Sequence, residues 1–247
     1  MTIAQELESQ QGICQDVIFP PGDLFSDEPP LETELHLRQI ILLLTCLEWL
    51  WRDRNDFYAA GNLTIYYSPR QRKSEYFRGP DFFVVLGTER KTRKSWVVWE
   101  EDGKYPNVIL EILSDSTANT DKNLKKTIYQ DTFRTPDYFW FDPYTQEFAG
   151  FHLVDGEYQP LQASELGHLW SHQLGLYLGI HEGLLRFFTR DGQLVPTPEE
   201  TAEQAEQKAE QAEQKAEQAE QKAEQAEQKT ERLAAKLREL NIDPDII

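Results

Sequence analysis

Four copies of Ala-Glu-Gln-Ala-Glu-Gln-Lys run without a break from Ala202 to Lys229. A seven-residue period made of strong helix formers leaves the chain one local conformation there, with its alanines on one face. With Ala202 at heptad position a, the register continues through Ala209, Ala216, Ala223, Thr230 and Leu237. Position d falls on Ala205, Ala212, Ala219, Ala226, Leu233 and Leu240. The seam turns from Ala to Leu toward its end. Lysines occupy g and glutamates e, so a parallel pair would set Lys208 opposite Glu213 of the partner. The pattern predicts a heptad-repeat coiled-coil helix over residues 199–240, self-associating as a dimer or other homo-oligomer through residues 202–240. A solvated single helix, held by Ala propensity and local Glu–Lys pairs, is the alternative. Pro196-Thr197-Pro198-Glu199 marks the start, and residues 241–247 form a short tail.

A core has to come before this rod. The last aromatic residue is Phe188, although aromatics make up 12% of the chain. Residues 1–30 are punctuated by Pro20-Pro21-Gly22-Asp23 and Pro29-Pro30 and read as an extended arm. Residues 31–195 read as one α/β domain, a mixed sheet with flanking helices. Apolar residues at helical spacing from Leu35 to Leu50 predict a long buried helix within residues 31–56. Strands are expected at 63–67, 82–86, 95–99 and 108–113, then a helix at 119–132. Further strands follow at 138–141, 148–153, 158–161, 174–180 and 184–189.

Charge and composition remove some functions. The net charge is −18, which disfavours non-specific attraction to nucleic acid. The segment from Glu199 onward holds 14 acids and 7 bases, so most of the excess lies in the preceding residues. No stretch approaches the roughly 20 apolar residues of a membrane span. The opening residues lack a basic, apolar signal pattern, and two cysteines, Cys14 and Cys46, build no disulfide framework. A cytoplasmic protein is expected.

Two carboxylates break the apolar pattern. Asp81 follows Pro80 at the head of Phe82-Phe83-Val84-Val85-Leu86, and Glu111 lies inside Val108-Ile109-Leu110-Glu111-Ile112-Leu113. An ionised carboxylate in a buried strand is costly unless paired or bound to a cation. Two at adjacent strand ends make a hard-oxygen site suited to Mg²⁺, the cation that metal-assisted phosphodiester hydrolysis needs. Asp121, Lys125 and Tyr129 fall on one helix face at four-residue spacing. Each has a plainer reading: a turn cap for Asp81, a surface cation for Lys125 with Lys122 and Lys126 as rivals, a core aromatic for Tyr129. His168 and His172 have a zinc-compatible spacing but no third ligand in view. Arg70, Arg72, Lys73, Arg78, Arg90, Lys91, Arg93 and Lys94 flank the Asp81 strand as a basic rim or as an ordinary solvated hairpin.

In combination these residues resemble a known group. Arg78-Gly79-Pro80-Asp81-Phe82-Phe83-Val84-Val85-Leu86-Gly87, Val108 to Ser114, Asp121, Lys125, Tyr129 and Phe139-Trp140-Phe141-Asp142-Pro143 look like the cyanobacteria-rich restriction endonuclease family of the PD-(D/E)XK superfamily. The Pro-Thr-Pro-Glu-Glu junction and the repetitive tail fit it too. The resemblance implies a restriction-endonuclease-like fold, Mg²⁺ or Mn²⁺ as cofactor, DNA as substrate, and Asp81 and Glu111 as metal ligands. The usual lysine two residues after the acid is absent, since position 113 is Leu. The resemblance moves that role to Lys125, and it adds Glu34 or His36 from the early helix as accessory groups. Direct attack by water is the implied chemistry. The competing reading is a catalytically inactive nuclease-fold interaction protein, oligomerised by its coiled coil.

Overall fold

The computed structural model describes residues 22, 24–26, 33–68, 79–113 and 125–239. Its first helix, α1 (Glu34–Leu50), starts where the Thr33 hydroxyl accepts the His36 N–H at 3.2 Å. Its buried residues, His36, Gln39, Ile40, Leu43, Cys46 and Leu47, recur every three or four positions. The helix ends short of the expected residue 56. The chain turns through Trp51, Arg54 pairs with Asp56 at 2.8 Å, and a strand absent from the sequence reading follows.

That strand is β1 (Phe57–Gly61). The others in chain order are β2 (Ile65–Tyr66), β3 (Phe82–Leu86), β4 (Trp96–Val97), β5 (Val108–Ile112), β6 (Asp137–Phe141), β7 (Phe148–Val154), β8 (Glu157–Pro160), β9 (Leu169–Ser171), β10 (Leu176–His181) and β11 (Leu184–Phe188). Six of them form one mixed sheet in the order β1-β3-β5-β6-β7-β8. Only β5 and β6 run parallel in it, and the segment between them supplies the crossover. A three-stranded antiparallel sheet, β9–β11, and the short parallel pair β2–β4 complete the strands.

Alternation divides the large sheet between two cores. Phe82, Val84, Val108, Leu110, Ile112, Phe139 and Phe141 face α1 and the three-stranded sheet. Phe83, Val85, Ile109 and Tyr138 face the other way, toward Trp96, Tyr129, Phe133 and Tyr158. Gln39 joins α1 to the edge strand β11: its side chain donates to the Leu185 carbonyl at 2.8 Å and accepts the Leu185 N–H at 3.0 Å. A wholly buried amide thereby satisfies the N–H and C=O of Leu185 on that edge, and residues 193–195 bridge it further along. Gly61 keeps the helix close to β1. A β-carbon there would lie 2.2 Å from Ile40 Cγ2.

Residues 125–133 are helical, and the run expected as ordinary helix becomes a π-helical turn at Ile128–Phe133. The wider turn closes with Arg134 in the left-handed region (φ 51°) and an N–H from Thr135 to the Tyr129 carbonyl.

Residues 196–247 form a separate unit. Its helix, α2 (Pro198–Glu239), opens with a reciprocal capping box: the Thr197 hydroxyl accepts the Glu200 N–H at 3.1 Å, and the Glu200 carboxylate accepts the Thr197 N–H at 2.8 Å. Its length is about 63 Å at the helical rise. None of its residues is buried. Among the described residues no helix is long and apolar enough to cross a membrane.

Candidate functional site

Antiparallel pairing sets Phe82 of β3 opposite Leu110 of β5. One step further along the same register, Asp81 comes opposite Glu111. Glu111 faces the side of the sheet that holds Tyr129, while Asp81, just ahead of β3, reaches the first turn of α1. Asp81 is fixed from two sides. Its Oδ2 accepts the Ile112 N–H at 2.7 Å, and its Oδ1 lies 3.0 Å from Nε2 of His36. Glu111, 4% exposed, accepts a hydrogen bond from the Tyr129 hydroxyl on Oε1 and an ion-paired one from Lys125 Nζ at 3.0 Å on Oε2. Four elements thus meet: the first turn of α1, the head of β3, the end of β5 and the helical segment 125–133.

The electrostatics of this cluster are unequal. Burial pushes the Glu111 carboxyl up to about 8, with the Asp81 charge adding to the rise and the Lys125 ammonium opposing it. Burial would also raise Asp81. There the His36 ring, the Lys125 charge and the Ile112 N–H outweigh it, and the carboxyl lies below its ordinary value. Burial beside Glu111 holds the Tyr129 hydroxyl far above its usual range, so it remains a donor. His36 is 7% exposed, and neither ring nitrogen makes an in-line hydrogen bond.

The other sequence candidates land elsewhere. Glu34 does not join the cluster: it is exposed and pairs with Arg38 at 2.7 Å, one turn along α1. His36 occupies the inner face two residues on. Asp121, Lys122, Arg70, Arg72, Lys73 and Arg78 lie outside the described residues. Arg90, Lys91, Arg93 and Lys94 follow β3, so the strand separates them from Asp81 at its head. Three of them are already neutralised: Arg90 on Glu48 at 3.2 Å, Lys91 on Glu89 at 3.4 Å, Arg93 on Glu101 at 2.5 Å. Lys94 lies over the Phe25 ring. His168 and His172 share no helix face, because β9 runs between them. His168 stacks on Phe188, and the His172 ring lies tilted against His152.

A match to the family described as Putative restriction endonuclease, Uma2, covers residues 15–186 of the 247. The chain belongs to this Uma2 family. Asp81, Glu111, Lys125 and Tyr129 all lie within the matched segment. No curated protein matches the chain. A solved structure, of a putative nuclease belonging to DUF820 from Anabaena variabilis, is similar at 12% identity, over 60% of this chain and 76% of that one, with a TM-score of 0.44. A likeness that slight fixes nothing about this Uma2 member.

Reading Tyr129 as a core aromatic captured only half of it. It is fully buried, and its hydroxyl also binds Glu111. The signal was the spacing that set it one turn beyond Lys125. A second buried polar cluster, around Asp137, carried no sequence signal.

Proposed function

We propose that this Uma2-family chain is a Mg²⁺- or Mn²⁺-dependent endonuclease, hydrolysing DNA phosphodiester bonds in a head of residues 31–195 carried on a coiled-coil tail. The observation that supports this reading is the convergence of Asp81, Glu111 and Lys125 on one buried point. The donor set suits the cation. It consists of two hard carboxylates side by side, with Glu111 driven toward protonation by burial and, to a lesser degree, by the Asp81 charge. A buried imidazole with no in-line partner stands against Asp81. Asp81 and Glu111 would hold the cation, with His36 as an accessory donor. Bound there, it would polarise a phosphoryl oxygen and lower the pKa of an attacking water.

The protein's own groups have separable roles in this reading. The Ile112 N–H aims the Asp81 carboxylate. Tyr129 holds one oxygen of Glu111 and so fixes the plane of the other. Lys125 places a positive charge beside the carboxylate pair, where it orients the water or stabilises charge on the phosphate. Its position one helical segment away takes the place of the missing strand lysine at Leu113. The nucleophile is water, with no covalent intermediate.

The net charge of −18 and the paired state of Arg90, Lys91 and Arg93 favour the second reading, an inactive nuclease fold serving as a binding head. Supercoiled plasmid with Mg²⁺ or Mn²⁺ separates the two. Nicking by the natural chain, lost in Asp81→Ala and Glu111→Ala, is expected of the nuclease. No cleavage with any metal, all three proteins being folded alike, sinks it.

A further inference from the structure

Across the four repeats, the lysines of α2 have no acid within reach on their own helix. The residues three and four positions to either side of Lys215 are Gln211, Ala212, Gln218 and Ala219. The same holds for Lys208 and Lys222, because the repeat is perfect. The glutamates fare worse. Glu203, Glu206, Glu210, Glu213, Glu217, Glu220, Glu224 and Glu227 are spaced alternately by three and four, a continuous acidic stripe along one face. Like charges at that spacing repel. Local Glu–Lys pairs therefore do not hold the repeats, and within residues 202–229 no ion pair forms. Two features remain unmatched on an isolated α2: a lysine row on one flank of the alanine seam and a glutamate row on the other.

We propose that both are matched by α2 of a second copy of this chain, in a parallel, in-register coiled coil. The orientation follows from charge. In a parallel pair position g faces e of the partner, so Lys208, Lys215 and Lys222 meet the partner's Glu213, the partner's Glu220 and the partner's Glu227, and the same contacts recur in the other direction. In an antiparallel pair g faces g and e faces e, which sets lysine on lysine and glutamate on glutamate along the whole length. The register follows from the apolar end. Sliding one helix by a heptad preserves the charge pairs of a perfect repeat but moves Leu233 and Leu237 onto alanine and threonine. Leu233 is 55% exposed on the single helix and gains most from meeting its own copy. Since each globular unit precedes Pro196, the arrangement attaches two of them at the same end of the rod.

The pattern supplies its own controls. Lys208→Glu, Lys215→Glu and Lys222→Glu together create no like-charge neighbour within the helix, since only Gln and Ala flank these sites. Glu213→Lys, Glu220→Lys and Glu227→Lys together interrupt the acidic stripe and improve the isolated helix. Sedimentation equilibrium of the full chain, with circular dichroism to follow helix content, should show a dimer for the natural sequence. Each triple variant should stay helical at concentrations where it is monomeric, with its dissociation constant raised at least tenfold. An equimolar mixture of the two variants should dimerise again. Ala202→Cys should cross-link through residue 202 of both copies, which only a parallel, in-register pair brings together. A natural chain that is monomeric throughout, charge variants that keep its mass, or a dimer without the 202–202 cross-link overturns the proposal. These readouts are mass and linkage, so they stand apart from whether the heads cleave DNA.

Discussion

Asp137 and Glu111 sit toward opposite ends of the parallel pair β5–β6, and both are buried. Their surroundings differ in kind. Asp137 Oδ1 meets His152 Nδ1 at 2.7 Å, and its Oδ2 accepts the Ser171 hydroxyl at 2.6 Å and the Gln173 N–H at 2.9 Å. Those contacts tie β6, β7 and β9 together, and no other carboxylate shares them. Glu111 also has two donors, Tyr129 and Lys125, but faces Asp81 across the sheet and is pushed up to about 8. A buried carboxylate that is fully hydrogen-bonded serves the fold. In the proposed reading, a pair of them short of positive charge is where a cation binds.

The largest effect expected of a single substitution tests the structural end. Asp137→Ala leaves Ser171 and the Gln173 N–H without their acceptor and should cost about 3 kcal/mol in urea unfolding. Mg²⁺ affinity of the folded fraction should stay unchanged. A change in cation binding there would break the contrast between the two ends.

The next effect is a pH dependence. The folded value of Glu111, about 8, lies above its ordinary 4.5, so between those pH values the native state binds more protons than the unfolded chain. Its contribution is fully present below 4.5 and is lost as pH rises toward 8, at up to about 1.4 kcal/mol per pH unit. Asp81 is depressed below 3.8, so its contribution is present above that value and disappears only on further acidification, outside this window. Thermal or urea melts without metal should therefore lose stability from pH 5 to pH 8, Glu111→Gln should flatten the slope, and Mg²⁺ should oppose the loss. A natural chain as flat as Glu111→Gln would refute the uncompensated pair.

Smaller effects sharpen the comparison. Tyr129→Phe should cost about 1 kcal/mol and weaken Mg²⁺ binding about tenfold by calorimetry, since it frees the Glu111 carboxylate to rotate. Ser171→Ala should cost somewhat less than about 1 kcal/mol and leave Mg²⁺ binding alone. If Ser171→Ala weakened the cation more than Tyr129→Phe, the division of labour between the ends would be wrong.

Sequence reading fared unevenly for identifiable reasons. β3 is Phe82–Leu86 in both the reading and the structure, because a short apolar run bounded by Pro80 and Gly87 has few other uses. Asp81 and Glu111 stood out because each violates the apolar pattern around it. β1 was missed: Phe-Tyr-Ala-Ala-Gly carries no alternation, and it is a strand only because β3 pairs with it. β9 escaped for the same reason, being three residues held by β10. Asp137 was unreadable because its donors come from His152, Ser171 and Gln173, 15 to 36 residues away. Glu34 and His36 could not be told apart in sequence; two positions on a helix decide which faces inward.

What the sequence determined alone is what depends on near neighbours. The rod of α2, its charge rows and its seam follow from a seven-residue repeat, and the two misplaced carboxylates from their adjacent residues. Tertiary structure decided which groups meet them. It set Asp81 against Glu111 through strand pairing, brought His36 in from α1, and turned Lys125 and Tyr129 onto Glu111. Those contacts span 14 to 45 residues and exist only when both cores are packed, because no local preference of the chain can specify them.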